Sequence, residues 1–292
     1  MRFDLISKVM EIYTVANGNM KLDGGAMFGI IPKSLWQKQY MADDNNMVRI
    51  SMRSLLVVDG DRRILFDNGI GDKQDHKFFS YYYLFGENNI KESLGVHGLK
   101  VEDITDMVLT HLHFDHCGGS IKYNEEKSEL LPVFPNARYW ISRQQWDLAH
   151  DPNKLEGASF LEENYDPIKT AGQLELFDRA FELTPNVQLR LCDGHTLGQA
   201  IGLISYNGKT IVNVADLIPL AGNISMSWVC GYDTQPLIAL KEKADFLKES
   251  LANNYIYYFY HDLDTQCCTL KDTMKGIRPD ERFDLTRISG QD

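Results

Sequence analysis

The sequence predicts a layered α/β sandwich containing two sheets, and three observations carry that prediction. Short β-branched and aromatic runs fall into two sets, one before residue 110 and one after 180, with a helix-rich stretch at about 142–178 between them. Two joints between runs, VVDGDRRILF and ISYNGKTIVN, put Asp-Gly and Asn-Gly where a tight antiparallel hairpin needs residues that tolerate positive φ. In PLIALKEKADFLKESLANN, Leu237, Leu240, Ala244, Leu247 and Leu251 recur at three- and four-residue steps with lysines and acids between them. That spacing predicts a helix over 236–253 lying on a sheet with one face wet.

In chain order, strands are expected at 8–15, 53–58, 63–66, 107–109, 138–141, 188–191, 200–206, 210–214 and 255–260, where β-branched and aromatic residues cluster between turn formers. Further helices are expected at 76–85, 142–150 and across the polar region 154–177. There is no repeat at a period of 20–50 residues and no low-complexity linker, so the expectation is a single domain over 1–292 with a helical insertion at about 142–178.

Composition narrows the function. With 43% hydrophobic and 24% charged residues the chain can bury a substantial core, which excludes disorder, collagen and coiled coil. The 41 acids against 30 basic residues leave a formal charge of −11, which counts against a nucleic-acid partner. No apolar run approaches the length of a membrane span, and acids interrupt the opening segment where a signal peptide needs its apolar stretch. The five cysteines, Cys117, Cys192, Cys230, Cys267 and Cys268, form no CxxC and are read as thiols of a cytoplasmic protein.

The chemistry concentrates in VLTHLHFDHCGG, residues 108–119. An apolar strand ends, and His111, His113, Asp115 and His116 follow within six residues. Two histidines two apart at a strand end point the same way, and an acid and a third imidazole just beyond can turn toward a second cation. Left without a metal, so many titratable groups would repel one another with no compensation. Gly118 and Gly119 are read as letting the backbone come close to the metals and as starting a helix.

Four ligands do not complete a two-metal site. His195, after the 188–191 strand, His261, closing YIYYFY, and Asp216, ending IVNVAD, share the strand-end placement. His76, His97 and His150 sit in polar surroundings and are read as surface residues. Asp67 is read as an acceptor for a ligand imidazole or as a turn aspartate.

HLHFDH, followed by Gly194-His195, Asp216 and His261 in that order, resembles the metallo-β-lactamase fold superfamily over nearly the whole chain. The resemblance implies a four-layer αββα sandwich of two mixed sheets with outer helices and the site at one edge of the sheets. It further implies that His111, His113 and His195 hold one metal, that Asp115, His116 and His261 hold the other, and that Asp216 bridges them. The ions implied are two zinc, with manganese, iron or cobalt as alternatives. A bridging hydroxide would be the nucleophile, with Asp115 or Asp216 handling its proton.

Within the superfamily the sequence is most similar to the N-acyl-homoserine lactonase and methyl-parathion-hydrolase branch, on FGIIPKSLW, RRILFDNGIGDK, the His261-Asp262 pair and the DLI after Ala215. It departs at Pro219, where such lactonases usually carry a tyrosine, and at Leu197 and Gln199, which break the commoner GHTPGH. The implied activity is hydrolysis of a small ester, lactone or phosphotriester, with neither nucleic acid nor membrane as partner and a homodimer left open. The alternatives are a non-catalytic metal-binding sensor and a mononuclear iron oxidoreductase of the same fold. Met27, Phe28, Ile31, Trp36, Trp140, Trp146, Met226 and Trp228 are candidates for an apolar pocket wall, and the insertion is placed to act as a lid.

Overall fold

The computed structural model describes residues 10–86 and 89–290; residues 8 and 9 of the first expected strand, and both ends of the expected 1–292 domain, lie outside the described residues. In chain order the strands are β1 (Glu11–Asp23), β2 (Met47–Asp59), β3 (Arg62–Phe66), β4 (Asp106–Val108), β5 (Ile121–Tyr123), β6 (Leu130–Pro132), β7 (Arg138–Ser142), β8 (Leu174–Phe177), β9 (Phe181–Thr184), β10 (Val187–Cys192), β11 (Gln199–Tyr206), β12 (Lys209–Asn213), β13 (Ile256–Tyr258), β14 (Cys267–Lys271) and β15 (Arg278–Phe283). One sheet runs β1-β2-β3-β4-β7-β8 and the other β15-β14-β13-β12-β11-β10-β9, while β5 and β6 pair apart. Both large sheets are mixed: β3, β4, β7 and β8 are parallel, as are β12 and β13, and hairpins supply the rest.

Side-chain alternation builds the layers. Leu55, Val57, Ile64, Phe66 and Val108 share the inner core with Leu189, Ile204, Ile211 and Tyr258 of the second sheet. Their neighbours Leu56, Leu65, Met107 and Ile141 turn the other way, onto Leu94, Trp146 and Ile168. On the far face of the second sheet, Ile201, Val212 and Tyr257 pack on Phe246 and Leu247 of the helix Pro236–Ala252. A strand buried on both faces needs apolar residues at consecutive positions, which explains the continuous runs in the sequence. The result is the αββα sandwich.

The expected hairpins form. Tyr206 pairs with Lys209 across Asn207 (φ 49°) and Gly208 (φ 74°), two successive positive φ angles that Asn-Gly accepts at little cost. Three expectations need correction. The helix expected at 154–177 is instead two short turns and the helix Asp166–Thr170; Gly172 at φ 71° ends it, and Leu174–Phe177 then pairs with β7 as an edge strand. The helix expected at 76–85 stops at Ser80. The helix near 236–253 forms, but its buried face is Ala239, Lys243, Phe246, Leu247 and Ser250, with Leu237 81% exposed. Lys243 can be buried because its ammonium donates to the carbonyls of Asn223, Ser225 and Trp228.

Candidate metal centre

The seven candidate residues come together at one edge of the two sheets. β10, β12 and β13 run in the same direction, so the residues after them emerge at the same edge of the second sheet. His195 follows β10, Asp216 sits in the turn Ala215–Leu217 beyond β12, and His261 follows β13. The opposing sheet contributes His111 and His113 after β4, and Asp115 and His116 on the short helix Phe114–Cys117. Ala215, immediately before Asp216, is held at φ 44°, a strained backbone for a residue with a Cβ and one found where a site fixes the chain.

None of the seven is more than 8% exposed. One ring nitrogen each from His111, His113 and His195 lie within 4.8 Å of one another, as do the donor atoms of Asp115, His116 and His261 and those of His111, His116 and Asp216. Asp216 lies between the clusters: its Oδ2 is 3.4 Å from His195 Nε2, and its Oδ1 is 3.4 Å from both His116 Nε2 and His261 Nε2. Asp115 Oδ2 is 3.5 Å from His261 Nε2. Buried His111 Nε2 and Asp216 Oδ1 make no hydrogen bond. Lone pairs left bare inside a protein are costly, and a cation at that point satisfies them.

Each imidazole is oriented from behind. Thr110 Oγ1 gives its proton to Asp67 Oδ2 (2.8 Å), so toward His111 Nδ1 (3.1 Å) it can only accept, which leaves Nε2 unprotonated. His261 Nδ1 donates to the Ser51 carbonyl (2.9 Å), which fixes the ring with Nε2 toward the centre. His116 Nδ1 lies 3.0 Å from Asp67, and His195 Nδ1 3.0 Å from Asp233. His113 is turned round: its Nδ1 faces His195 Nε2 at 3.3 Å, and its Nε2 meets Glu156 at 3.4 Å. Tyr260 stacks on His116 with ring centroids 4.4 Å apart and donates to the Asp115 carbonyl.

Asp67 therefore has the acceptor role that the sequence left open, whereas Glu156 and Asp233 were not anticipated: nothing near either position in the sequence marks it. Glu156 belongs to the segment after the helix Arg143–His150 and also accepts from Asn153 Nδ2 (2.6 Å). Replacing it by alanine frees the His113 ring, and metal affinity should fall by about 10- to 100-fold, as for other carboxylates that hold a ligand imidazole. Zinc competition against a chelating dye measures this; unchanged affinity would contradict it.

The electrostatics favour cations. Burial, then His116 and His113, hold His111 well below the ordinary histidine range, so it is neutral and free to ligate. Burial alone would raise Asp216, but His261, His116 and His195 outweigh it and hold the carboxyl well below its usual range. Burial raises Asp67 despite the opposing pull of His116 and Thr110. Cys117 is a buried thiol donating to the Leu112 carbonyl (3.3 Å), pushed up by burial, and among the described residues no group that could hold a metal includes it.

Gly118 and Gly119 open a single 3₁₀ turn, Gly118–Ser120, directly after the short helix, and the chain they admit is the segment after β3. A Cβ on Gly118 would run into the Ile70 carbonyl, and one on Gly119 into that of Asn68. The same contact is sealed by Asn68 N to His116 O and Gly119 N to Gly69 O, both 2.9 Å. Because rigid backbone opposes rigid backbone, Gly118→Ala should cost about 3 kcal/mol or more, read as a lower denaturation midpoint; an unchanged midpoint would refute the close fit.

The centre opens into a cavity of about 220 Å³, lined beyond the candidate residues by Leu22, Met27, Tyr82, Phe114, Leu155, Pro219 and Tyr232 among others. Of the eight wall residues proposed from sequence only Met27 lines it. Phe28 and Trp36 are buried in an adjoining core, Trp146 lies under the outer helices, and Trp140 packs against the core between the sheets. The insertion contributes Leu155, Glu156, Ala158 and Ser159. His76, His97 and His150 line no part of this cavity. Among the described residues no helix is long and apolar enough to cross a membrane.

The profile of the Metallo-beta-lactamase superfamily matches residues 53–261. An N-acyl homoserine lactonase from Bacillus cereus is 22% identical over 280 residues, covering 88% of this chain and 95% of its own. A solved probable metal-dependent hydrolase from Staphylococcus aureus is 28% identical with a TM-score of 0.84, covering 94% of this chain and 98% of its own. AidC, a dizinc quorum-quenching lactonase solved with the product N-hexanoyl-L-homoserine, shares the fold at a TM-score of 0.76 and 21% identity, over 94% and 95% of the two chains. The match spans most of the chain and contains all seven residues of the centre, and the chain belongs to the metallo-beta-lactamase superfamily.

Proposed function

We propose that the chain is a hydrolase that holds two divalent cations, zinc in the first instance, and cleaves a small uncharged ester, lactone or phosphotriester. The observation that carries this reading is Asp216, whose two oxygens face different histidine clusters at 3.4 Å. His111, His113 and His195 would hold one ion and Asp115, His116 and His261 the other. When bound, such a pair lowers the pKa of a shared water and polarises the scissile carbonyl or phosphoryl. Asp216, kept ionised by its three histidines, orients that water, and Asp115, which also lines the cavity, accepts a proton.

Substrate class follows from the cavity wall. Among the described residues no lysine or arginine lines it, while Asp115, Glu156 and Asp216 do, so an anionic substrate would meet only the cations. Neutral substrates with an apolar body suit Leu22, Met27, Phe114 and Leu155. The lactonase relatives support the same class. The five buried free thiols support a reducing, cytoplasmic setting.

The test is a paired initial-rate assay of zinc-loaded protein on an acyl-homoserine lactone and on an aryl phosphotriester, with His111→Ala as control. Turnover of either one, lost in the variant, supports hydrolysis and names the branch. Silence on both overturns the reading in favour of a metal-binding protein without catalysis.

A further inference from the structure

Cleaving an ester of a poor leaving group requires a proton donor for the departing oxygen, and the cavity wall offers few. Among the described residues it has no cationic side chain other than the histidines of the centre. The Thr234 hydroxyl is committed to the His195 carbonyl (3.0 Å), and the Cys230 thiol to that of Ala26 (3.5 Å). Apart from the carboxylates, what remains are the hydroxyl of Ser159 and the phenols of Tyr82 and Tyr232, and a phenol is far more acidic than an alcohol.

Tyr82 is the better placed of the two phenols. Its ring packs on Phe114, next to Asp115, with centroids 4.7 Å apart, and on Phe78 at 5.1 Å. Its backbone is tied on both sides: the amide donates to the Phe79 carbonyl (3.1 Å) and the carbonyl accepts from Lys21 N on β1 (2.8 Å). Tyr83 follows at φ 46°, a left-handed conformation that a residue with a Cβ adopts only when its surroundings impose it. Asp75 caps the helix leading into this turn by accepting from Phe78 N. Tyr232, by contrast, is 41% exposed.

We infer that Tyr82 is a catalytic residue, its phenol donating to the leaving-group oxygen of the substrate. The inference rests on the hydrolase reading. As the bond from the acyl carbon or phosphorus to the leaving oxygen breaks, its electron pair stays on that oxygen, and the Tyr82 proton moves onto it. The water consumed delivers its oxygen to the acyl carbon or phosphorus, and one of its protons returns to the phenolate, so the net reaction is one ester plus one water. Burial, then Asp115, push the phenol up to about 12. It is therefore protonated at neutral pH, can protonate an alkoxide, and has little to give a nitrophenolate, which leaves unaided.

The experiment compares zinc-loaded wild type, Tyr82→Phe and Tyr232→Phe on two esters of the same acid, one with an alkyl and one with a p-nitrophenyl leaving group, in whichever ester class wild type turns over. Metal content and melting temperature are measured on each protein. The expected result is that Tyr82→Phe keeps its metal and fold and lowers kcat on the alkyl ester by about 10²-fold, with far less loss on the aryl ester. Equal losses on both esters, no loss on the alkyl ester, or the selective loss appearing in Tyr232→Phe would each overturn the assignment. If wild type hydrolyses neither ester, the hydrolase reading itself falls and Tyr82 falls with it.

Discussion

Asp216→Asn should lower ester turnover by about 10²- to 10⁴-fold while most of the metal stays bound. Asparagine is close in shape, so the turn Ala215–Leu217 can keep its path, but one carboxylate oxygen becomes an NH2 that only donates. Whichever way the amide is turned, it presents hydrogens to His195 or to His116 and His261, where the carboxylate presents lone pairs at 3.4 Å. A negative charge is also lost from a site in which three histidines stabilise it. Each ion retains three other side chains, so occupancy should fall much less than rate, and the rate loss should match that for removing a group that handles a proton in the transition state. Metal analysis beside kcat on the same preparation decides it. A variant that turned over like wild type would remove Asp216 from the chemistry.

Asp67→Ala is expected to destabilise the protein by about 3–5 kcal/mol and to weaken metal binding as well. The side chain is fully buried and accepts three hydrogen bonds, from Thr110 N, Thr110 Oγ1 and His116 Nδ1, at 2.8, 2.8 and 3.0 Å. Removing it strands the Thr110 amide and the His116 Nδ1 donor away from water. It also frees the Thr110 hydroxyl to donate to His111 Nδ1, which would push that ring's proton to Nε2, the atom that must stay bare for a cation. Chemical denaturation and zinc titration should both register the change. A loss of stability with metal affinity intact would mean that Asp67 supports the fold alone.

Local features were legible in the sequence and those assembled across the fold were not. HLHFDH could be read because its four candidate ligands fall within six residues, and because each strand-end position for His195, Asp216 and His261 carries its own apolar run. The Asn-Gly hairpin was legible for a similar reason, since two residues alone satisfy its geometry. Lys243 misled the helix reading because three carbonyls on a distant loop neutralise the cost of burying it. β15, RPDERF, carries no apolar alternation because it is an exposed edge strand whose pairing comes from β14. Glu156 and Asp233 become partners of His113 and His195 only once the chain has folded, at separations of 43 and 38 residues. The cavity wall escaped for the opposite reason: large aromatic residues were the natural candidates, but Trp36, Trp146 and Phe28 fill cores instead.

The most direct test of the two-cation centre is a metal count. Protein expressed with ample zinc, dialysed free of loosely held ions and analysed by mass spectrometry of the elements should carry two zinc ions per chain. His261→Ala should lose one of them and His195→Ala the other, each with its fold intact. A wild-type chain that retains one ion or none under these conditions, or variants that lose no ion, would contradict a centre in which Asp216 joins two cations.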